Sequence, residues 1–437
     1  MKTGQIQHLI LADDLTGAND SGVHFLASSD HVLVVTNPEI GDHLAIEETI
    51  IVNTDSRLIP HAEAYALIKS VIDTFSPYRP TVIYKKIDST FRGNVGSEID
   101  ALLDCTPYSV VCLAAANPRN GRTIHHGLCY VNGTPLAQTE IACDPFTPVH
   151  SSSVAKIIAQ QSTRRIGHLS LEVINSPLES AQAQLQRLLD QGTEIVIADT
   201  VHPSDLNRVA KIFSPLGNSV LYVGSAGLFH ALQSAERPLP KNRPPLCVTN
   251  ILIIVGSLMD TTLRQVEALV SKVHPPTVLI KSNDLDGQGS SAVVQSACEQ
   301  ITAGFTASPV VLLQTDRTNS QIVGNAAKVG EVIAAITALI IKETSVDALV
   351  VTGGDTAQYV LNRIGEGYLH LVDEIIAGVP VARLKPDQSE QSLLFVTKAG
   401  SYGDPGAFVQ IIEYLQGDAQ HFPEEVREEV SYHADRV

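Results

Sequence analysis

The sequence predicts an α/β protein of two α/β domains with mainly parallel sheets. Three observations carry that expectation. Short apolar runs rich in Val, Ile and Leu recur without polar alternation, as strands covered by helices on both faces require. Helical patterns separate these runs. The chain has 437 residues, more than the roughly 250–300 at which a single core stops growing, and a proline-rich stretch without periodicity, ERPLPKNRPPLCVTN (236–250), interrupts it. Proline removes donors and resists helix, so that stretch reads as a linker.

In the first half the strand candidates are HLILA (8–12), HVLVV (31–35), TIIVN (49–53), TVIYK (81–85), SVVCLA (109–114), EIVIA (194–198) and SVLYV (219–223). Helices are expected from Asp20 to Ala27, His61 to Ser76 and Gly96 to Asp104. The second half repeats the rhythm with ILIIVG (251–256), TVLIK (277–281), PVVLL (309–313), ALVVTGG (348–354), VARLK (381–385) and LLFVTKAG (393–400). Small and branched apolar residues at helical spacing from Ser320 to Glu343 predict a buried helix feeding the strand at 348. The expected domains are 1–238 and 249–437, with a charged, peripheral tail from Phe422.

Composition narrows the function classes. Forty-seven acidic residues against 30 basic give a net charge of −17, and no basic run interrupts the field. Such a field repels nucleic acid and anionic membrane, so an anion site must use locally placed donors. The six cysteines, at 105, 112, 129, 143, 247 and 298, form no Cys-x-x-Cys and no zinc spacing. MKTGQIQHLILADD lacks the pattern of a secretory signal, and no apolar stretch approaches the ~20 residues of a membrane span. The expected location is cytoplasmic.

Three polar clusters follow strands in the first half. In LILADDLTGANDSG (9–22) a buried strand ends in Asp13 and Asp14 and a helix follows. Ligands of open α/β sheets bind at strand carboxyl ends, and a helix N-terminus suits anions. One aspartate capping the helix and the other meeting solvent is the plainer alternative. The Asp-x-Asp of haloacid-dehalogenase phosphatases is missing, because Leu15 and Thr16 stand two residues beyond the aspartates. NTDSR (53–57) offers Arg57, whose planar fork fits a carboxylate or pairs with Asp55. YKKIDSTFRGNVG (84–96) gathers Lys85, Lys86, Asp88, Arg92 and Asn94 at a strand-to-helix junction. In a strand Lys86 and Asp88 share a face and Lys85 takes the other. Buried cations need satisfaction, either by an anionic substrate or by an internal ion-pair network.

DDLTGAND, NTDSR and KKIDSTFRGNVG together resemble the sugar-binding domain of the four-carbon acid sugar kinases, and the likeness continues through AAANPRNGRT (114–123), VNGTPLAQTE (131–140) and DPFTPV (144–149). KKIDSTFRGN is closer to the D-threonate/D-erythronate type than to the 3-oxo-tetronate type. The resemblance implies that Asp14, Arg57 and the run Lys85, Lys86, Ile87, Asp88 bind the sugar acid. It implies an ATP-dependent kinase acting on the terminal hydroxyl, with Asp14 or Asp88 accepting its proton and the active site in the inter-domain cleft.

The second half carries three glycine turns after strands: VGSLMD (255–260), TGGDTA (352–357) and TKAGSYGDPGAF (397–408). Glycines let backbone N–H groups approach phosphate closely. Lys398 adds a point charge, and Asp355 offers a ligand for Mg²⁺ or a ribose hydroxyl. Neither G-x-x-x-x-G-K-[ST] nor G-x-G-x-x-G occurs, which argues against P-loop and dinucleotide-binding readings. By resemblance the nucleotide contacts are Ser257, Gly353, Gly354, Asp355, Thr356, Lys398, Ala399, Gly400 and Ser401. The last motif departs from the family's Lys-x-Gly-Gly-Phe-Gly, reading KAGSYG here. ATP and Mg²⁺ are the expected cofactors, the sugar acid and ATP the expected small-molecule partners, and a homodimer the candidate assembly. The alternatives are a 3-oxo-tetronate or other sugar-acid kinase, a two-domain phosphatase or hydrolase, and a non-catalytic sugar-acid-binding protein. His125 and His126 read as loop histidines, at the surface or the substrate rim.

Overall fold

The computed structural model describes residues 5–26, 32–37, 48–144, 147–232, 246, 248–256, 259–281, 290–316, 326–365, 367–386, 391–400 and 402–417. Two compact units result, Met1–Pro238 and Leu239–Val437.

The first unit opens with β1 (His8–Ala12), α1 (Leu15–Val23), β2 (Val32–Val35), β3 (Thr49–Asn53), α2 (His61–Phe75), β4 (Val82–Lys86), α3 (Val95–Cys105) and β5 (Val110–Ala114). A small antiparallel sheet follows, β6 (Arg122–His125), β7 (Leu128–Val131) and β8 (Thr134–Pro135). Then come α4 (Val154–Ala159), β9 (Ile166–Leu169), α5 (Leu171–Ile174), α6 (Leu178–Asp190), β10 (Ile195–Ala198), α7 (Pro203–Phe213), β11 (Val220–Gly224) and α8 (Ala226–Leu232).

The main strands of this unit run in the order β2–β3–β1–β4–β11–β5–β10–β9, each pair parallel. Their apolar runs are buried on both faces, with Leu9, Leu11, Ile50, Ile51 and Val111 fully enclosed. From β1 the chain moves to β3 on one side, then crosses to β4 on the other. Such a reversal opens a crevice at the strand ends. In register, Ala12 lies beside Asn53 and Lys86, so β1, β3 and β4 end level and deliver their next residues to one place.

The second unit contains β12 (Ile251–Val255), α9 (Asp260–Val273), β13 (Thr277–Ile280), α10 (Ser290–Ala307), β14 (Val310–Thr315), α11 (Ala326–Glu343), β15 (Ala348–Thr352), α12 (Gly354–Ile364), β16 (Tyr368–Ile376), β17 (Val379–Leu384), β18 (Leu393–Lys398) and α13 (Ala407–Gln416). Strand order is β13–β14–β12–β15–β18–β17–β16, parallel as far as β18, with β17 antiparallel to both neighbours. Its core packs Ile251, Ile253, Leu312, Val350 and Val396 against Leu269, Phe408 and Ile411.

The strands lie within a residue or two of the predicted runs. The helix expected from Asp20 begins instead at Leu15, because Asp14 caps it through a bond from Gly17 N–H to Oδ1 (2.9 Å). The small sheet, β9 and β16 were not foreseen. β16 is interrupted by Asp373 and Glu374 and by register shifts, which break its apolar pattern. Residues 320–325 of the predicted long helix, most of the linker and the tail from Phe422 lie outside the described residues. Among those described, no helix is long and apolar enough to cross a membrane.

Candidate active site

At the ends of β1, β3 and β4 one guanidinium organises two carboxylates. Arg57 donates from Nε (2.9 Å) and Nη2 (2.9 Å) to Asp13 Oδ2, and its Nη1 lies 3.1 Å from Asp14 Oδ2. Gly93 lets the arginine pack closely: at its φ of 92°, an added Cβ would stand 3.1 Å from Arg57 Cγ. Asn94 ties the same loop down, donating from Nδ2 to Ser56 O (2.6 Å) and Ile59 O (2.8 Å). Asp13 is buried. Burial pushes its carboxyl up, but Arg57, Lys85 and Lys86 together bring it below the ordinary carboxylate value. Asp14 is partly open to solvent, with one oxygen on the helix cap and the other on Arg57.

The two lysines of β4 part company. Lys85 shares its face with Leu11, is fully enclosed, and meets Glu98 Oε2 at 3.1 Å. Glu98 in turn accepts from Ser56 Oγ. Burial pushes the Glu98 carboxyl up, more than Lys85 lowers it. Lys85 is thus spent on the internal network that was one of its two expected roles. Ile87 is fully buried, and its N–H donates to Gly224 O (3.0 Å).

Lys86 takes the other face. It is 6% exposed, and its ammonium makes no hydrogen bond or ion pair among the described residues. Its tip reaches the first turn of α1: a Cβ on Gly17 would stand 2.7 Å from Lys86 Nζ and 2.6 Å from Asp14 Oδ1. Asp20, further along α1, feels the same charges. Burial raises its carboxyl, Lys86 lowers it and Asp14 raises it, with a net rise. Asp88 closes the rim of the cluster. It accepts from Arg92 Nε (2.7 Å) and from Thr90 Oγ1, and Arg92 also reaches Asp144 at 3.6 Å. Burial pushes the Asp88 carboxyl up, yet Arg92, Arg57 and Thr90 hold it far below its usual range.

In the second unit three parallel strands, β12, β15 and β18, again end level, with Val255 beside Thr352 and Thr352 beside Lys398. Gly353, at φ 102°, turns the chain into α12, and Gly354, Asp355 and Thr356 form its first turn. Helix geometry gives N–H groups in a first turn no intrahelical carbonyl. Gly256 is required for closeness, since a Cβ there would meet Thr356 Oγ1 at 1.9 Å. Lys398 is 1% exposed and donates to Ala399 O and Tyr402 O, both at 2.9 Å. It has no carboxylate partner among the described residues, and burial lowers its ammonium to about 8. Gly400 is held by Thr262 Oγ1 (2.9 Å). Gln265 Nε2 reaches the carbonyls of Tyr402, Gly403 and Asp404 at 2.9–3.0 Å. Ser257 and Ser401 lie outside the described residues.

Sequence reasoning missed Glu98, Asp20, Thr262 and Gln265. A signal existed for two of them. Glu98 lies among Val95, Ile99 and Leu102 on the buried face of α3. Gln265 lies with Val266 and Leu269 on that of α9. A polar residue at core spacing marks a buried hydrogen-bonding task.

Comparison with known proteins agrees with this division. Residues 8–232 match the family model described as a sugar-binding N-terminal domain, and residues 252–408 the one described as a nucleotide-binding C-terminal domain. The chain is 28% identical over 424 residues to a D-threonate kinase of Salmonella typhimurium, covering 93% of this chain and 98% of that one. It is 28% identical to a D-erythronate kinase of Heliobacterium modesticaldum, covering 93% and 96%. A 3-oxo-tetronate kinase of Methylobacterium radiotolerans is 24% identical, over 93% and 98%. A crystal structure from Salmonella typhimurium LT2 shares the fold, with a TM-score of 0.78 at 20% identity over 92% of this chain and 98% of that one.

Proposed function

The chain belongs to the four-carbon acid sugar kinase family, and from that premise we propose that it is an ATP-dependent kinase phosphorylating the terminal hydroxyl of a tetronic acid of the threonate or erythronate type. One observation carries the reading. Each unit holds a buried lysine without a carboxylate partner among the described residues, Lys86 in the first and Lys398 in the second, and each stands at a strand end beside a helix N-terminus. A buried ammonium without a carboxylate in direct contact is costly. Two such sites, in a strongly acidic protein, suit two anionic substrates. The relatives named for threonate and erythronate favour those acids over the 3-oxo acid.

Phosphoryl transfer needs alignment and charge neutralisation more than covalent help. In this reading Lys86 and the first turn of α1 hold the acid's carboxylate, and Arg57 fixes Asp14 towards it. Asp88 is too weak a base to take a proton, because Arg92 and Thr90 stabilise its charge, so it serves as a hydroxyl acceptor. Asp14 is the carboxylate that takes the proton of the attacking hydroxyl. In the second unit Lys398, Gly353, Gly354, Thr356, Ala399 and Gly400 hold the nucleotide phosphates. Mg²⁺ bound with the nucleotide would supply neutralisation of phosphate charge, and Asp355 is the carboxylate of that turn that would hold it.

ADP release coupled to a dye, run with threonate, erythronate, 3-oxo-tetronate and erythritol, tests the proposal. Turnover is expected with the two tetronic acids and not with the neutral alditol. Equal turnover of erythritol and erythronate refutes an anion-selective site. Phosphate release without acceptor would mark a hydrolase, and ligand binding without turnover a binding protein.

A further inference from the structure

The hairpin of β6 and β7 brings two adjacent histidines to a glutamate of α5. We propose that His125, His126 and Glu172 form a binding site for a late first-row divalent metal ion, with Zn²⁺ its representative. One ligand atom from each of the three side chains lies within 4.8 Å of the others, and they are partly or fully open to solvent, so an ion can reach them. Two imidazoles and a carboxylate suit Zn²⁺, Ni²⁺ or Cu²⁺ better than Mg²⁺.

The arrangement is built, not incidental to two flexible side chains. Both imidazole rings come from one turn, 3.9 Å apart between centroids. His126 takes a left-handed backbone, φ 52°, which is unfavourable for a residue with a side chain. A fully buried carboxylate holds it there. Asp199, at the end of β10, accepts from His126 N (2.7 Å) and Gly127 N (2.9 Å). The same carboxylate accepts from Leu171 N (3.2 Å), next to Glu172, and lies 2.8 Å from His168 Nε2. One buried anion therefore fixes both chain segments that carry the ligands. An outer carboxylate setting the posture of ligands is a recurrent feature of metal sites. Glu172 itself is lowered below its ordinary value, first by Ser170 and then, among smaller causes, by the two histidines.

The hairpin's other side meets the Asp88 loop, with Cys129 Sγ 3.7 Å from Ser89 O, whereas Asp199 follows a strand remote from β4. β10 lies three strands from β4 in the sheet, about 14 Å at ~4.8 Å per strand. A bound ion would join the hairpin to α5 and complete its own shell with water. It would be a tie across the edge of the sugar-binding unit, independent of the nucleotide's Mg²⁺.

The test is titration of the full chain with Co²⁺, read by visible absorption, and with Zn²⁺, read by equilibrium dialysis, both without nucleotide. One equivalent of either ion is expected to bind, and Zn²⁺ is expected to raise the melting temperature. Glu172→Gln, at an exposed position, and His126→Asn, which tolerates the left-handed backbone, should each weaken binding by at least tenfold. Asp199→Asn, acting through the backbone of both segments, should weaken it ~10–100-fold. Absence of binding at micromolar metal overturns the proposal. Binding that survives both Glu172→Gln and His126→Asn overturns it too, because the ion then sits elsewhere.

Discussion

Lys398 offers the sharpest test of the nucleotide site. Its ammonium is lowered by burial from 10.5 to about 8. At 1.36 kcal/mol per pKa unit, that shift corresponds to about 3 kcal/mol of disfavoured charge. The sign follows from proton binding: between about pH 8 and 10.5 the unfolded chain holds the proton more tightly, so this lysine's contribution to stability improves as pH rises through that window. Below about 8 the cost is carried in full. A triphosphate beside Nζ reverses the balance, since it favours the charged form. At pH 8 about half of the free protein's Lys398 is neutral, so ATP binding should take up about 0.5 proton. Between pH 7 and 9 the charged fraction falls about tenfold, and the affinity for nucleotide should fall with it. An ordinary lysine would remain about 97% protonated at pH 9 and give no slope. Calorimetry of ATP binding without acid substrate, in buffers of different ionisation enthalpy, reads the proton uptake directly. Lys398→Arg should flatten the profile, because a guanidinium stays charged. A wild-type profile flat from pH 7 to 9, with no proton uptake, would refute the assignment of Lys398 to the phosphates.

Four further outcomes are expected. Asp14→Asn should keep the helix cap and the melting temperature while lowering kcat by ~10²–10⁴-fold, whereas Asp13→Asn should cost roughly 3 kcal/mol of stability by leaving Arg57 under-compensated; denaturant melts and kinetics on both variants decide, and an active Asp14→Asn enzyme sinks the base assignment. Lys86→Met should stabilise the ligand-free protein by about 1–3 kcal/mol while raising KM for the acid far more than for ATP; a destabilised variant would show that Lys86 is paired. Gly256→Ala should push the first turn of α12 away from its place and raise KM for ATP, given the 1.9 Å approach to Thr356 Oγ1; unchanged ATP kinetics in the folded variant would remove that turn from the site. Asp88 has a lowered carboxyl, so its pairing with Arg92 adds stability that is full above the unfolded value of 3.8 and fades as pH falls below it; Arg92→Met should therefore move the acid-unfolding midpoint upward, and an unshifted midpoint contradicts the pairing.

Much of this protein was legible before folding. Continuous apolar runs such as HLILA and TIIVN became strands almost residue for residue, because burial on both faces leaves a local mark that needs no knowledge of neighbours. The polar clusters at 13–14, 53–57 and 85–94 and the glycine turns at 352–357 and 397–403 were visible for the same reason. Backbone that must turn sharply or meet an anion shows it in the residues at that place. β16 was less legible, since its acidic pair and register shifts erase the period. His125 was read as part of a loop, yet it ends β6, whose neighbour is set by a distant bridge between Ile124 and Thr200.

The sequence by itself determined the two α/β units, the strand ends where polar side chains gather, and the family. It did not determine which charges are free. Leu9 and Leu11, and Ile10 and Ala12, are all buried, so the pattern could not say which aspartate faces solvent. The structure assigns the cap to Asp14 and the enclosed pair with Arg57 to Asp13. Lys85 and Lys86 are adjacent and chemically alike, but Glu98 pairs with the first and no described carboxylate makes an ion pair with the second. Periodicity and turn chemistry are local properties of a chain. Pairing of a buried charge depends on the register of parallel strands and on a helix that returns twelve or more residues later, and only the tertiary structure sets those.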